Sequence, residues 1–293
     1  MAHNLLYRIG RIFVLALPLK FSYSVARILA DIYYSMYDKE RRAVTENLKI
    51  ILNRPSGDTD KELQKIVKEV FRNFAKYLVD FLRFSLIDPG YINKNVKLAD
   101  LSNLEEALKQ CKGVILLSAH LGNWELGGYV LGKLGYSINA VVLTHKNEKV
   151  NEFFINQRGM GNFKSIEIGA SLRTCYKALK NNELLALMGD RNFSSTGLVT
   201  EFFGRPVLMP KGPSVLGLRT GAVIVPTYMV RENDDTFKMV FEKPIYPESG
   251  GDEDAAVEKL MKSYLPSLEN AIRRYPHQWY VFREFWGKTH GKN

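Results

Sequence analysis

Between residues 102 and 274 the chain alternates short, uninterrupted apolar runs with longer stretches of helical periodicity, and this leaves it few architectures. Residues 113–119 read GVILLSA, which offers water almost no polar face and predicts a strand buried on both sides. Further strands are expected over 138–144, 165–168, 184–189, 222–230 and 237–243, the last two joined as a hairpin across Asn233-Asp234-Asp235. A short helix capped by Ser102 and Glu105 precedes 113–119. Others are expected over 123–134, 147–158, 172–180, 212–220 and 255–274, the last kinked before Pro266. Strands connected through helices predict an α/β fold with a mostly parallel central sheet flanked by helices. Without a repeat or a low-complexity tract to divide it, 101–293 reads as one α/β domain.

Residues 1–100 read differently. The clearest helix covers 59–85, with Thr59 and Glu62 as a capping box and a stripe through Leu63, Ile66, Val67, Val70, Phe71 and Phe74. Residues 5–34 are apolar and aromatic, yet Arg8, Arg11, Lys20, Arg27 and Asp31 interrupt them and Pro18 sits inside. The longest uncharged stretch, 12–19, falls short of the roughly 20 apolar residues that a spanning helix needs. A cleaved leader is not expected, because Arg27 and Asp31 follow the apolar run. Two readings stand: a pair of amphipathic helices lying in a membrane interface, or one apolar face packed on the protein. The run Lys39-Glu40-Arg41-Arg42 adds cationic attraction to an anionic membrane surface. This makes 1–100 a helical, membrane-associating N-terminal extension.

Charge narrows the partners without choosing one. The 41 Lys+Arg against 31 Asp+Glu give +10, which suits anionic lipid, an acidic protein or nucleic acid. No recognised nucleic-acid module occurs, so no nucleic-acid partner is expected. Cys111 and Cys175 are too far apart for a metal pair, the five histidines are scattered without an HExxH pattern, and neither metal nor cofactor is implied.

The chemistry concentrates in Ser118-Ala119-His120-Leu121-Gly122-Asn123-Trp124-Glu125. His120 stands where a buried strand ends, Gly122 permits a sharp turn, and Asn123 is a natural helix N-cap. Glu125 then falls in the first helical turn, from which its carboxylate is expected to fold back and orient the imidazole as a general base. The plainer reading is a structural histidine. Asp190 and Arg191 follow another buried strand and should reach the same rim, where ligands of open α/β sheets collect. A local ion pair would explain them equally.

SAHLGNWE resembles the HX4E motif of the late acyltransferases of lipid A biosynthesis, the lauroyl/myristoyl transferase group. That group lies within the lysophospholipid acyltransferase superfamily, most of which has Asp in place of Glu125. ENLKI, MGDRN, EFFGRPVLMPKGPSVLGLRTGAVIVP and PHQWYVFREFW resemble further blocks of the group, so the similarity covers most of 20–287. The resemblance implies an acyltransferase at the cytoplasmic face of a bacterial inner membrane. Its donor would be acyl carrier protein or acyl-CoA, and its acceptor a hydroxyl of a glycolipid such as a lipid A precursor. His120 would be the base and Glu125 its partner. With no GxSxG elbow and no evident cysteine nucleophile, direct transfer in a ternary complex is implied. One departure stands out: family members often carry Asp-x-Asp where this chain has Asp190-Arg191-Asn192. Arg191 is then a candidate for a phosphate or carboxylate, and Arg158 a second substrate contact. Gly204 and Pro210 would shape a loop beside the site, and Trp279 and Trp286 would line the acyl path. Competing readings are another acceptor, a phosphatidylinositol mannoside or a lysophospholipid, and a non-catalytic nucleic-acid-binding protein.

Overall fold

The computed structural model of the protein describes residues 2–54, 60–144, 147–168, 172–193, 196–248 and 250–286, and only the backbone of 2–6. Four helices open the chain: α1 (Ala2–Ala16), α2 (Leu19–Met36), α3 (Asp38–Ile51) and α4 (Lys61–Leu82). Then follow α5 (Pro89–Asn95), β1 (Val96–Ala99), α6 (Leu101–Leu108), β2 (Val114–Ser118), α7 (Trp124–Lys133), β3 (Ile138–Val142) and α8 (Glu148–Gly159). The chain continues through β4 (Phe163–Glu167), α9 (Leu172–Lys180), β5 (Leu184–Met188), β6 (Leu198–Phe202) and β7 (Arg205–Met209). It closes with α10 (Gly212–Thr220), β8 (Val223–Arg231), β9 (Phe237–Phe241) and α11 (Glu253–Arg274).

Seven strands form one sheet in the order β1-β9-β8-β2-β5-β3-β4, and every pairing is parallel except β8 with β9. The expected α/β sheet is therefore present. β2 lies near its middle with Val114, Ile115, Leu116 and Leu117 buried, as an apolar run covered on both faces requires. One core, including Leu117, Leu185, Leu216 and Leu268, covers one face; a second, including Leu116, Val225, Leu131 and Phe154, covers the other.

The helical extension shares these cores. Val44 and Leu48 of α3 and Leu63, Val67 and Val70 of α4 belong to the same cluster as Ile115 and Leu117 of β2. β1 joins the sheet from before residue 101, pairing with β9. Asp60 caps α4, its side chain accepting from the N–H groups of Glu62 and Leu63; the expected cap Thr59 lies outside the described residues. α2 buries Ser22, Tyr23, Ala26 and Ala30, and Arg72 of α4 grips Asp31 of α2 through two hydrogen bonds of 2.7 Å. The other faces of α1 and α2 expose Ile9, Ile12, Phe13, Phe21, Ile28, Leu29, Ile32 and Met36. Among the described residues no helix is long and apolar enough to cross a membrane.

The loop expected around Gly204 and Pro210 is instead mostly the β6–β7 hairpin. Phe203 and Gly204 both take positive φ, 54° and 70°, which is the left-handed pair that a tight two-residue hairpin turn needs. α11 runs unbroken through Pro266.

Candidate active site

Register brings the first two site residues together. β2 and β5 pair with Ser118 opposite Met188, so His120 and Asp190, each two residues further on, leave neighbouring strands at the same rim. The His120 backbone N–H donates to Asp190 Oδ2 at 3.0 Å, and His120 Nδ1 lies 2.7 Å from Asp190 Oδ1. A third donor, the indole N–H of Trp279, reaches Asp190 Oδ2 at 2.9 Å. Asp190 is fully buried, whereas the His120 side chain keeps 16% exposure. Burial by itself would raise the Asp190 carboxyl, but the charge and hydrogen bonds of His120, with the nearby charge of Arg191, outweigh it. Together they hold the carboxyl well below its ordinary value. An ionised carboxylate only accepts, so Nδ1 carries the proton and Nε2 is left as the basic nitrogen. His120 Nε2 has no partner among the described residues, and His120 helps line a cavity of about 1130 Å³.

The turn that aims His120 is fixed from outside its own segment. Gly122 has φ +65°, and a Cβ there would lie 2.1 Å from the Met229 carbonyl oxygen, so only glycine fits. The Gly122 N–H donates to the Gln278 carbonyl at 2.9 Å, and the Tyr280 N–H donates to the His120 carbonyl at 2.9 Å. Asn123 caps α7 by accepting from Leu126 N–H, as its sequence position predicts, and its amide donates to Asp80 of α4 at 2.7 Å.

Glu125 does not orient His120. Its carboxylate instead takes Arg158 of α8: Arg158 Nε lies 2.9 and 3.1 Å from its two oxygens, and a terminal nitrogen lies 2.6 Å from Oε1. Both side chains are buried, at 7% and 8% exposure, and both line the same cavity as His120. The first turn of α7 does place Glu125 near the rim, but a guanidinium presenting two donors in one plane outcompetes an imidazole already held by Asp190. Arg158, expected as a substrate contact, is thus the ion-pair partner of Glu125 in the cavity wall. Burial opposes its charge, and the Glu125 carboxylate more than offsets that, raising its pKa above the usual arginine value.

Arg191 also lines the cavity. One terminal nitrogen donates to the Tyr280 carbonyl, while its buried Nε meets no partner among the described residues. Burial lowers its pKa, and the charge of Arg283 adds to this. Neither Trp279 nor Trp286 lines the cavity: the first holds Asp190, and the second donates to the Phe202 carbonyl at 3.1 Å. The 278–280 segment is the part of the site that sequence reasoning missed as machinery. Its only signal was the resemblance of PHQWYVFREFW to a block of the family.

The residues that line the cavity belong to both sheet faces as well as to the rim at His120. From the face covered by α7 and α8 come Leu116, Gly127, Gly128, Ala140, Ala186 and Met229. From α9 and α10 and the residue before α10 come Leu172, Val215 and Leu216 together with exposed Arg173 and Lys211. An imidazole in a cavity lined by apolar and by cationic side chains suits deprotonation of a hydroxyl beside the carbonyl of a long-chain acyl group.

The model of one protein family, described as bacterial lipid A biosynthesis acyltransferase, matches residues 2–288. A phosphatidylinositol mannoside acyltransferase of Mycolicibacterium smegmatis is 25% identical over 82% of this chain and 77% of its own. A lipid A biosynthesis palmitoleoyltransferase of Escherichia coli is 27% identical over 84% of this chain and 79% of its own. The solved 1-acyl-sn-glycerophosphate acyltransferase of Thermotoga maritima is a distant likeness, with TM-score 0.39, 12% identity, and coverage of 86% of this chain and 97% of that one.

Proposed function

This chain belongs to the bacterial lipid A biosynthesis acyltransferase family and is an acyltransferase; from that premise we propose that it moves a fatty acyl group from an acyl carrier protein or CoA thioester to a hydroxyl of a lipid A precursor or related glycolipid. The observation that carries this reading is that His120 lines the cavity with Nε2 unpartnered among the described residues while buried Asp190 holds the other ring nitrogen. Nε2 takes the proton of the acceptor hydroxyl as its oxygen attacks the thioester carbonyl. The tetrahedral intermediate collapses, the carbon–sulfur bond breaks, and the proton passes from Nε2 to the leaving thiolate. Charge on the carbonyl oxygen is stabilised by the N-terminal end of α7 and by Arg191 at the cavity wall. The apolar residues lining the cavity under α7 and α8 take the acyl chain. Arg173 and Lys211, which also line it, attract the anionic groups of the acceptor. In this account Glu125 is a positioning residue that anchors Arg158.

The membrane placement rests on α1 and α2. Their exposed Ile12, Phe13, Ile28, Leu29 and Met36 stand beside exposed Arg8, Lys20 and Arg27, the pattern of helices lying in an anionic interface. The reading puts the protein on the cytoplasmic face of a bacterial inner membrane, where a lipid acceptor reaches the cavity from the bilayer.

A phosphatidylinositol mannoside is the competing acceptor, favoured by the similarity to the mycobacterial enzyme. Mass spectrometry of lipids from a deletion strain separates the two. Loss of one acyl chain from lipid A supports the first reading, and loss from a mannoside supports the second. An unchanged lipid profile, with no transfer by the purified protein, rejects both.

A further inference from the structure

We infer that Asp80 is a positioning residue for acyl transfer: through Asn123 it holds the turn that carries His120, and Tyr23 of α2 holds Asp80 in its turn. The inference rests on the acyltransferase reading and adds to it residues of two helices that stand behind the site. Tyr23, Asp80, Asn123 and Arg231 come from α2, α4, the start of α7 and the end of β8, and each is at most 7% exposed. Their side chains bond to one another. The Tyr23 hydroxyl donates to Asp80 Oδ1, while Asn123 Nδ2, at 2.7 Å, and a terminal nitrogen of Arg231 donate to Oδ2. The second terminal nitrogen of Arg231 donates to the Tyr23 hydroxyl at 3.0 Å. The guanidinium lies 4.9 and 4.6 Å from the centroids of the Tyr23 and Phe237 rings. Burial and the Asp80 charge push the Tyr23 phenol well above its ordinary value, so the hydroxyl keeps its proton and donates.

Replacing a buried ionic cluster of this kind by apolar side chains often leaves stability unchanged, so stability alone does not account for it. What it fixes is Asn123. The Asn123 amide is planar, and its two ends serve two partners: Oδ1 caps α7 by accepting from the Leu126 N–H at 3.1 Å, and Asp80 holds Nδ2. Fixing the nitrogen therefore aims the oxygen. The Asn123 backbone N–H donates to the Met229 carbonyl at 2.7 Å, so the chain is tied to β8 and to α4 within three residues of the imidazole. Tyr23, Asp80 and Arg231 do not line the cavity, and they act on the chemistry only through this turn. Loosening it displaces the base, and a misplacement of ~1 Å at a reacting group costs about 10²-fold in rate. The pair Arg72–Asp31 also ties α2 to α4, about two turns further along α2 and without a link to Asn123.

The test compares Tyr23→Phe, Asn123→Ser and the double variant with wild type, each as the purified full chain. Tyr23→Phe removes only the hydroxyl; Asn123→Ser keeps an N-cap oxygen but withdraws the amide nitrogen that meets Asp80. The substrates are hexadecanoyl-CoA and a detergent-dispersed lipid A precursor or phosphatidylinositol mannoside, so attachment to a bilayer does not enter. Each single variant, folded by circular dichroism, should lose about ten- to hundredfold in kcat, with KM for the thioester within about threefold of wild type. The double variant should lose little more than either one, since both break the same network. Arg72→Ala should lower the melting temperature and leave kcat within about threefold. A folded Tyr23→Phe whose kcat stays within about threefold, a loss carried by KM, losses that multiply in the double variant, or an equal loss in Arg72→Ala each overturns the inference. Should Tyr23→Phe not fold, Asn123→Ser carries the same comparison with Arg72→Ala. Absence of transfer by wild type defeats the acyltransferase reading, and amide hydrogen exchange then decides the positioning. Exchange at Gly122, Asn123 and Leu126 should quicken by about tenfold in Tyr23→Phe, and unchanged exchange there refutes it.

Discussion

Replacing Asp190 by Asn tests the pairing on which the site depends. The carboxylate accepts from three donors: the His120 backbone N–H, His120 Nδ1 and the Trp279 indole. An amide has the same shape but one oxygen and one donating nitrogen. If its oxygen faces the backbone N–H and the indole, its NH2 meets Nδ1 and forces the proton onto Nε2, where the base should be free. If it turns the other way, the NH2 confronts two donors. One arrangement abolishes the base, and the other leaves buried donors unsatisfied at about 1–3 kcal/mol. Transfer should therefore fall by roughly 10²–10⁴-fold, the range lost when a general base is disabled or its tautomer is reversed. Single-turnover transfer of a labelled acyl thioester measures this, and ¹⁵N spectra of the imidazole report whether the proton has moved from Nδ1 to Nε2. Retention of activity within about tenfold, with the ring proton still on Nδ1, would refute the argument that Asp190 orients the histidine.

Three other perturbations follow from the same geometry. Glu125→Ala leaves the Arg158 guanidinium buried without its partner and should cost about 3–5 kcal/mol of unfolding free energy, whereas Glu125→Leu with Arg158→Met should recover most of it; urea titration compares them. Gly122→Ala should destabilise strongly and disturb the His120 turn, because its Cβ meets the Met229 carbonyl; a melting temperature equal to wild type would contradict the close approach. Asp190 binds its proton less readily folded than unfolded, so its contribution to stability is full above the ordinary carboxylate value near 4 and is lost as pH falls below it. Stability measured below about pH 4 should accordingly fall less steeply in Asp190→Asn than in wild type.

Much of the fold was legible because it is written locally. The runs at 113–119 and 184–189 can only be covered strands, and α9 and α10 occupy the residues that periodicity assigns them. Asn123 announced the start of α7 by its capping chemistry. The wiring of the site was not local. SAHLGNWE puts an imidazole and a carboxylate within one turn, yet which groups they meet depends on β5, α8 and the 278–280 segment, all distant in sequence. The pairing of Ser118 with Met188 is what delivers Asp190 to His120, and no pattern within either strand encodes that register. The β6–β7 hairpin escaped for another reason. Pro206 argues against a strand, and it is tolerated here because the two strands form a small separate ribbon.

The most direct measurement is single-turnover acyl transfer by His120→Ala, whose fold should survive because the imidazole is partly exposed at the cavity wall. Transfer should fall by a factor of about 10³ or more while acyl thioester binding persists. Transfer at a rate near wild type from a folded His120→Ala protein would take the histidine out of the reaction and this account with it.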